Sequence, residues 1–355
     1  MPSRVSDDGP GPAALARGGS KGPGEGPFPG DPWADIAALA RLAPTPHNTQ
    51  PFRIRPRDEG RAELVLLTER LLPAEDHGNL YVTSAFGIFA VALERAARSL
   101  GLALEVTPVA ALDPGALPPP GARVVVGQAR LGGRVPPEPA SLLETRRTSR
   151  LPYLDRAIEP QALAALGAAT AGGGHRFIHH DEPAVVGPLL RLNAEAIIDN
   201  LQLADEREEI RGWHHLGATP DEGDGLWRTP MNQSAWELWS AFAVPWLFRL
   251  PVLRPFAVRR YLRTQQGTRH IALICGAFRT WPELYAAGRM LMDLWLEMAR
   301  HDVYMQPMGS MLTNPRYAAE LARRFGVDDC WLVLRLGYSA PPPRAPRLRS
   351  ILLDE

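Results

Sequence analysis

Three prolines, Pro44, Pro46 and Pro51, punctuate the stretch Ala43-Pro44-Thr45-Pro46-His47-Asn48-Thr49-Gln50-Pro51-Phe52, and no helix or central strand can run through them. Upstream, Asp31 and Pro32 supply an N-cap and a first-turn proline, and Trp33, Ile36, Leu39 and Leu42 recur at helical spacing. Downstream, Phe52-Arg53-Ile54-Arg55 and Leu64 to Leu67 read as strands joined by a turn at Arg57-Asp58-Glu59-Gly60. A stiff polar loop must therefore connect helix to hairpin. Its hydroxyls, imidazole and side-chain amides offer donors and acceptors without net charge, a chemistry suited to a planar polar ligand.

The rest of the chain alternates helices and short strands. A long helix rich in Ala, Leu and Phe is predicted over Val82–Leu100, closed by Gly101, with the small residues Ser84, Ala85 and Gly87 permitting close helix packing. Short strands follow at Leu104–Val106 and Val124–Val126, with Pro/Gly-rich linkers at Asp113–Gly121 and Gly132–Pro139; the second marks the boundary between halves. Helices are expected at Glu159–Ala169 and Asp181–Asp199, and strands at Arg176–His180, His270–Cys275 and Trp331–Leu336. Thr280-Trp281-Pro282-Glu283 is a capping box that opens a helix with Leu284, Ala287, Leu291, Leu294 and Met298 inward and the Arg289/Asp293 pair outward. Asn314-Pro315 starts another helix.

Lys+Arg and Asp+Glu both number 39, so no global field favours nucleic acid. Residues 1–30 carry few large apolar side chains and are expected to form a disordered tail. No apolar leader opens the chain, and no uninterrupted apolar run has transmembrane length. Cys275 and Cys330 lie in apolar runs and read as reduced thiols of a cytoplasmic protein, a single bridge remaining open. His175, His179, His180 and the His214-His215 pair lack metal-ligand spacing, and His179 and His180 point to opposite faces of a strand, so no metal site is expected. Between Trp236 and Tyr261, Trp and Phe residues are broken by Pro245, Pro251 and Pro255 and flanked by arginines. Short helices forming a lid over an apolar site are favoured there over a membrane or partner surface.

Glu144-Thr145-Arg146-Arg147-Thr148-Ser149-Arg150 groups three arginines with hydroxyls, a site suited to a phosphate. This run and the Pro44–Phe52 stretch together resemble the two FMN-contacting motifs of the flavin-dependent nitroreductase superfamily, Arg-Arg-Ser/Thr-x-Arg and Pro-Ser-x-x-Asn-x-Gln-Pro-Trp, with Phe52 where the family has Trp. The helix with Ala287-Gly288 and the loop at Gln306-Pro307 look like that family's penultimate helix and flavin-facing loop. The likeness spans roughly Asp31–Ser350. The motif order is reversed relative to ordinary members, and Gly172-Gly173-Gly174-His175-Arg176 stands where a second Asn/Gln motif would recur. That pattern resembles the Acg-type branch, a fused pseudo-dimer with one flavin site.

The resemblance implies an α+β, nitroreductase-like fold of two pseudo-equivalent halves, 31–140 and 141–355, with mixed or antiparallel sheets flanked by helices and a lid-like insertion at about 205–265. It implies FMN held by Thr45, His47, Asn48 and Gln50 from one half and Arg146, Arg147, Thr148 and Arg150 from the other. Arg347 or Arg349 would close over the phosphate, and backbone near Met308-Gly309 would face the redox-active ring atoms. No side chain is expected to act as acid or base. The implied activity is FMN-dependent oxidoreduction, from NAD(P)H to a nitroaromatic, quinone or other small acceptor, or oxidation of a small metabolite; the alternative is FMN sequestration without reductase activity. A monomer or a homodimer is compatible with it.

Overall fold

A computed structural model of the chain describes residues 30–109 and 119–353. The expected tail at 1–30, except Gly30, and most of the linker at 113–121 lie outside the described residues. In the first half α1 (Pro32–Ala40), β1 (Phe52–Pro56), β2 (Arg61–Leu67), α2 (Leu80–Ser99), β3 (Leu102–Pro108) and β4 (Arg123–Arg134) follow in order. Asp31 caps α1 by accepting from the Trp33 and Ala34 amides, as its sequence position requires. The second half runs α3 (Ser141–Thr145), α4 (Pro160–Gly172), β5 (Arg176–His180), α5 (Pro183–Asn200), α6 (Ala204–Trp213), β6 (His214–His215), β7 (Leu226–Trp227), α7 (Arg228–Met231), α8 (Ala235–Ala243) and α9 (Leu253–Thr264). It closes with β8 (His270–Cys275), α10 (Trp281–Arg300), β9 (Tyr304–Pro307), α11 (Ser310–Thr313), α12 (Pro315–Phe325) and β10 (Cys330–Gly337).

The architecture is α+β, with two four-stranded antiparallel sheets flanked by helices. The sheets are ordered β1-β2-β4-β3 and β5-β8-β10-β9. Both halves thus read helix, strand, strand, long helix, strand, strand, with their strands in the spatial order first, second, fourth, third. The chief difference is the connection between the first two strands: residues 57–60 in one half and 181–269 in the other. The chain end crosses back to the first sheet, where Ile351 O accepts from Ile54 N and Ile54 O accepts from Leu353 N, both at 2.8 Å.

The helices α2 and α10 cross at the centre, at two glycines. A Cβ on Gly87 would lie 2.1 Å from the Tyr285 carbonyl oxygen, and one on Gly288 1.7 Å from that of Ser84, so any side chain would force the backbones apart. One core spans both halves around this crossing, including Trp33, Phe86, Phe89, Leu284 and Trp295. Strand β8 alternates between two cores: Ala272 and Ile274 face the first, while Ile271, Leu273 and Cys275 face a second built with α5, α11 and α12. By length and composition α2 can cross a membrane, but 78% of the relevant window is buried here.

Several boundaries differ from expectation. Gly132 and Gly133 lie within β4, so the connection between halves begins after Arg134. Helix α4 continues through Gly172. Arg289 and Asp293 do not pair with each other: Arg289 donates to both Glu94 carboxylate oxygens, at 2.8 and 2.9 Å, and Asp293 accepts from Arg95 at 3.2 Å. Close packing of α2 on α10 supplies these nearer partners, which helical spacing within one element cannot reveal.

Candidate functional site

The loop between α1 and β1 has an unusual backbone. His47, Asn48 and Gln50 all adopt left-handed φ values, 45°, 56° and 49°, at an order-of-magnitude cost of about 1–3 kcal/mol for each strained residue. Local and distant bonds hold it. Thr45 Oγ1 accepts from Gln50 N at 2.9 Å, and Arg53 and Arg70 donate to the Gln50 and Thr49 carbonyls, both at 2.8 Å. Asn48 Nδ2 donates to Gly225 O at 3.1 Å and Pro346 O at 3.0 Å, while its Oδ1 accepts from Arg347. Gln50 Nε2 donates to Gly223 O at 3.0 Å, and its Oε1 accepts from Leu348 N at 2.9 Å. The two amides thus join three stretches, 45–50, 223–225 and 346–348. Arg70 also pairs with Asp224 at 2.6 Å. Gly225 has φ 72° and passes so near Trp213 O and His215 Nε2 that a Cβ would lie about 2.5 Å from each.

Beside this junction lies a group of arginines without counter-charge. Arg146 is 6% exposed, donates to Leu42 O at 3.1 Å and lies over the Trp295 ring, 4.3 Å from its centroid. Arg347 donates to the same Leu42 carbonyl at 3.4 Å, which brings the two guanidinium groups together. Burial, reinforced by Arg347 and Arg147, pulls Arg146 down to about 9; burial with nearby Arg41 pulls Arg347 down to about 10. Arg147 donates to Pro342 O at 2.8 Å. The Nε atoms of Arg146, Arg147 and Arg347 are buried without a hydrogen-bond partner. Thr148 forms a parallel bridge to Met305 at the edge of β9.

A second cationic patch adjoins it. Arg335, wholly buried, donates to Gln265 and Gln306 and stacks over Tyr153 at 3.7 Å. Arg150 lies near Tyr153, Tyr261 and His47, and burial lowers its pKa. Among the described residues, none of Arg146, Arg147, Arg150, Arg335 and Arg347 forms an ion pair, although ion pairs are numerous elsewhere in the chain. A pocket of about 20 Å³ opens beside Arg146, Arg147 and Trp295. A larger cavity of about 710 Å³ lies between α3, α4 and α10. Both arginines lining it are paired, Arg95 with Glu138 and Asp293 and Arg300 with Glu297, so among the described residues it offers an anion no free cation.

His47 pairs through Nε2 with Glu75, and its Nδ1 is buried without a partner. Burial pulls the imidazole pKa down, but the charge and hydrogen bond of Glu75 outweigh it and the net shift is upward. Glu75 is shifted the other way: burial pushes its carboxyl up, and the charge and hydrogen bond of His47 bring it below its ordinary value. The Glu209 carboxylate fixes this segment by accepting from the Ala74 and Glu75 amides at 2.9 and 3.0 Å. His214, with its ring centroid 6.4 Å from that of His47, is pushed down by burial to about 4.

The structure therefore joins Thr45, His47, Asn48, Gln50 and Arg347, with Arg146 and Arg147 adjoining and Arg150 reaching the neighbourhood of His47. Three expected positions sit differently. The Met308 amide donates to Val333 O at 2.8 Å and its side chain packs in the second core. Gly309 leads into α11, and Arg349 is exposed. Sequence reasoning missed Glu75, Asp224 and Arg335. Each lies outside the two motifs, and only long-range folding brings it to them. His179, Asp181 and His270 bring potential ligand atoms within 4.8 Å of one another. However, His270 Nε2 accepts the Ile158 amide at 2.9 Å, so its Nδ1 carries the proton that bridges to His179 and has no lone pair for a cation.

No protein-family model matches the sequence, and no curated protein matches it. Solved structures do superpose on part of the chain. An FMN-bound nitroreductase from Bacteroides fragilis is 12% identical, with 58% of this chain and 91% of that one covered and a TM-score of 0.31. The FMN-dependent nitroreductase NfnB from Mycobacterium smegmatis, in complex with NADPH, is 15% identical over 57% of this chain and 92% of that one, with a TM-score of 0.31. A nitroreductase-like family protein from Bacillus cereus is 11% identical over 60% and 91%, with a TM-score of 0.34.

Proposed function

We propose that the chain is an FMN-dependent oxidoreductase of the nitroreductase type, using NAD(P)H as donor and a nitroaromatic, quinone or other small molecule as acceptor. The observation that carries this reading is the set of arginines at 146, 147 and 347, buried or partly buried, mutually repelling and without a carboxylate. Buried cations of this kind are stable when an anion completes them, and planar guanidinium groups match a phosphate monoester. The residues fit the phosphate end of FMN, with Arg146 and Arg347 on the phosphate, Arg147 beside it and Thr148 adding a hydroxyl. Arg150 would lie toward the ring, on the side where His47 and Glu75 meet.

Bound FMN would supply the hydride and electron transfer, which no side chain here can perform. The protein's part is to bind, orient and exclude water. Asn48 and Gln50 act first on the protein: their amides hold 223–225 and 346–348 as walls and become free for the flavin only if those segments withdraw. His47, whose pKa the Glu75 carboxylate raises, keeps a buried Nδ1 without a partner on this side of the site. Matching strand order in the two halves, and glycines at the same position of α2 and α10, support a fused pseudo-dimer with one site. Residues 31–140 and 141–355 would be its halves and 205–265 a cover, and the cytoplasm would suit its two thiols.

The same closure favours a second reading, FMN sequestration without turnover, because the amide bonds of Asn48 and Gln50 hold 223–225 and 346–348 over the loop. Anaerobic mixing of the FMN-loaded protein with NADH or NADPH separates the two: bleaching of the flavin supports the reductase, and a persistently oxidised flavin supports sequestration.

A further inference from the structure

The outer face of the insertion between β5 and β8 has no role in the arginine site. Trp236, Trp246 and Phe256 are 69%, 58% and 65% exposed, and Val252 is 82% exposed. Trp236, Trp246 and Phe256 come from α8, the short helical turn at Pro245–Arg249 and α9, which pack together, and Val252 immediately precedes α9. The Arg260–Glu237 pair at 2.6 Å ties α9 to α8 and makes the apolar residues one surface. Their inner partners, Leu238, Phe242, Phe248 and Val258, are packed within the protein, so exposure belongs to one side only.

From Leu238 to Pro282 the charged residues of the sequence are all cationic. No Asp or Glu occurs between Glu237 and Glu283, while seven arginines do, in a chain of formal net charge zero. Arg254, Arg260 and Arg269 pair with acids from outside the run. Arg249, Arg259 and Arg263 are exposed and unpaired among the described residues. On α9, Phe256, Arg259, Arg260 and Arg263 recur at helical spacing, so apolar and cationic groups share one stripe. Exposed Trp and Phe bordered by unpaired Arg on short helices lying along the surface match the chemistry of a bilayer interface, where rings enter the headgroup layer and guanidinium groups meet anionic phosphates. A protein partner would also accept the aromatics, but a run free of acids over so long a stretch selects an extended anionic surface.

We propose that this face docks on anionic lipid bilayers, independently of what the arginine site binds. The test uses the full chain with vesicles of phosphatidylcholine alone or with about one third phosphatidylglycerol, followed by flotation and tryptophan emission. Flotation with anionic vesicles only, a blue-shifted emission and release by salt are expected. A variant carrying Arg249→Gln, Arg259→Gln and Arg263→Gln should bind at least about tenfold more weakly. A Trp236→Ala, Trp246→Ala and Phe256→Ala variant should lose the emission shift while keeping its far-ultraviolet circular dichroism. Failure of the wild type to float with anionic vesicles at low salt overturns the proposal. So does equal binding to neutral and anionic vesicles, or self-association that buries these tryptophans and blocks vesicle binding.

Discussion

Gly87 and Gly288 face one another where α2 crosses α10, each the eighth residue of its twenty-residue helix. Equal placement on two helices in halves of equal strand order makes this crossing the structural axis of the chain. Gly288→Ala would set a methyl group against the Ser84 carbonyl oxygen and is expected to destabilise the fold by about 1–3 kcal/mol. Gly167→Ala, in α4 with open space around it, should instead stabilise by about 0.5–1 kcal/mol. Urea unfolding of the two variants checks both signs, and a neutral Gly288→Ala would contradict the close approach.

Arg146 and Arg347 repel each other in a buried place, so their charges cost stability until an anion arrives. Inorganic phosphate or sulfate should raise the melting temperature of the wild type. Arg146→Gln and Arg347→Gln should retain the ligand-free stability, or gain some, and lose the anion response. A large destabilisation without anion, with the anion response intact, would show that the guanidinium groups are structural.

The His47–Glu75 pair has a definite pH window. The folded pKa of His47 is raised above 6.5, so its contribution is fully present below that value and is lost as pH rises through the raised one. The folded pKa of Glu75 is depressed below 4.5, so its contribution is present above 4.5 and is lost as pH falls through the depressed one. The pair therefore stabilises most between about 4.5 and 6.5. In Glu75→Gln burial no longer meets this opposition, and the His47 pKa should fall below 6.5. Imidazole NMR titration reads it directly; an unchanged His47 would contradict the pairing.

Much of the local structure was legible because its cause is local. Asp31, Asn314 and the Thr280/Glu283 box cap the helices they were expected to cap, and Arg57–Gly60 turns between β1 and β2. The small residues of α2 foretold its close packing without naming the partner. What failed depends on contacts between distant segments. Arg289 found Glu94 in place of Asp293, and Gly132 stays in a strand because β3 pairs with β4 on either side of it, Leu104 with Leu131 and Leu102 with Arg134. At the candidate site, the two motifs could be picked out by their residue types. That Asn48 and Gln50 hold the backbone of 223–225 and 346–348 could not, since a carbonyl partner leaves no trace in sequence.

These amide contacts are themselves testable. Asn48→Ala removes two donated bonds and one accepted bond, with each net contribution about 0.5–1.5 kcal/mol. Hydrogen exchange of the Gly223, Gly225 and Leu348 amides should accelerate by about tenfold or more. Unchanged protection would mean that the three stretches hold together without Asn48.

The central claim is that the arginines at 146 and 347 are built for the phosphate of FMN. Titrating the protein with FMN and, separately, with riboflavin, and following quenching of flavin fluorescence, isolates that group because the two ligands differ only by the phosphate. The account predicts that FMN binds far more tightly than riboflavin and that Arg146→Gln or Arg347→Gln erases the difference. Equal affinity for the two flavins, or no binding of FMN, would contradict it.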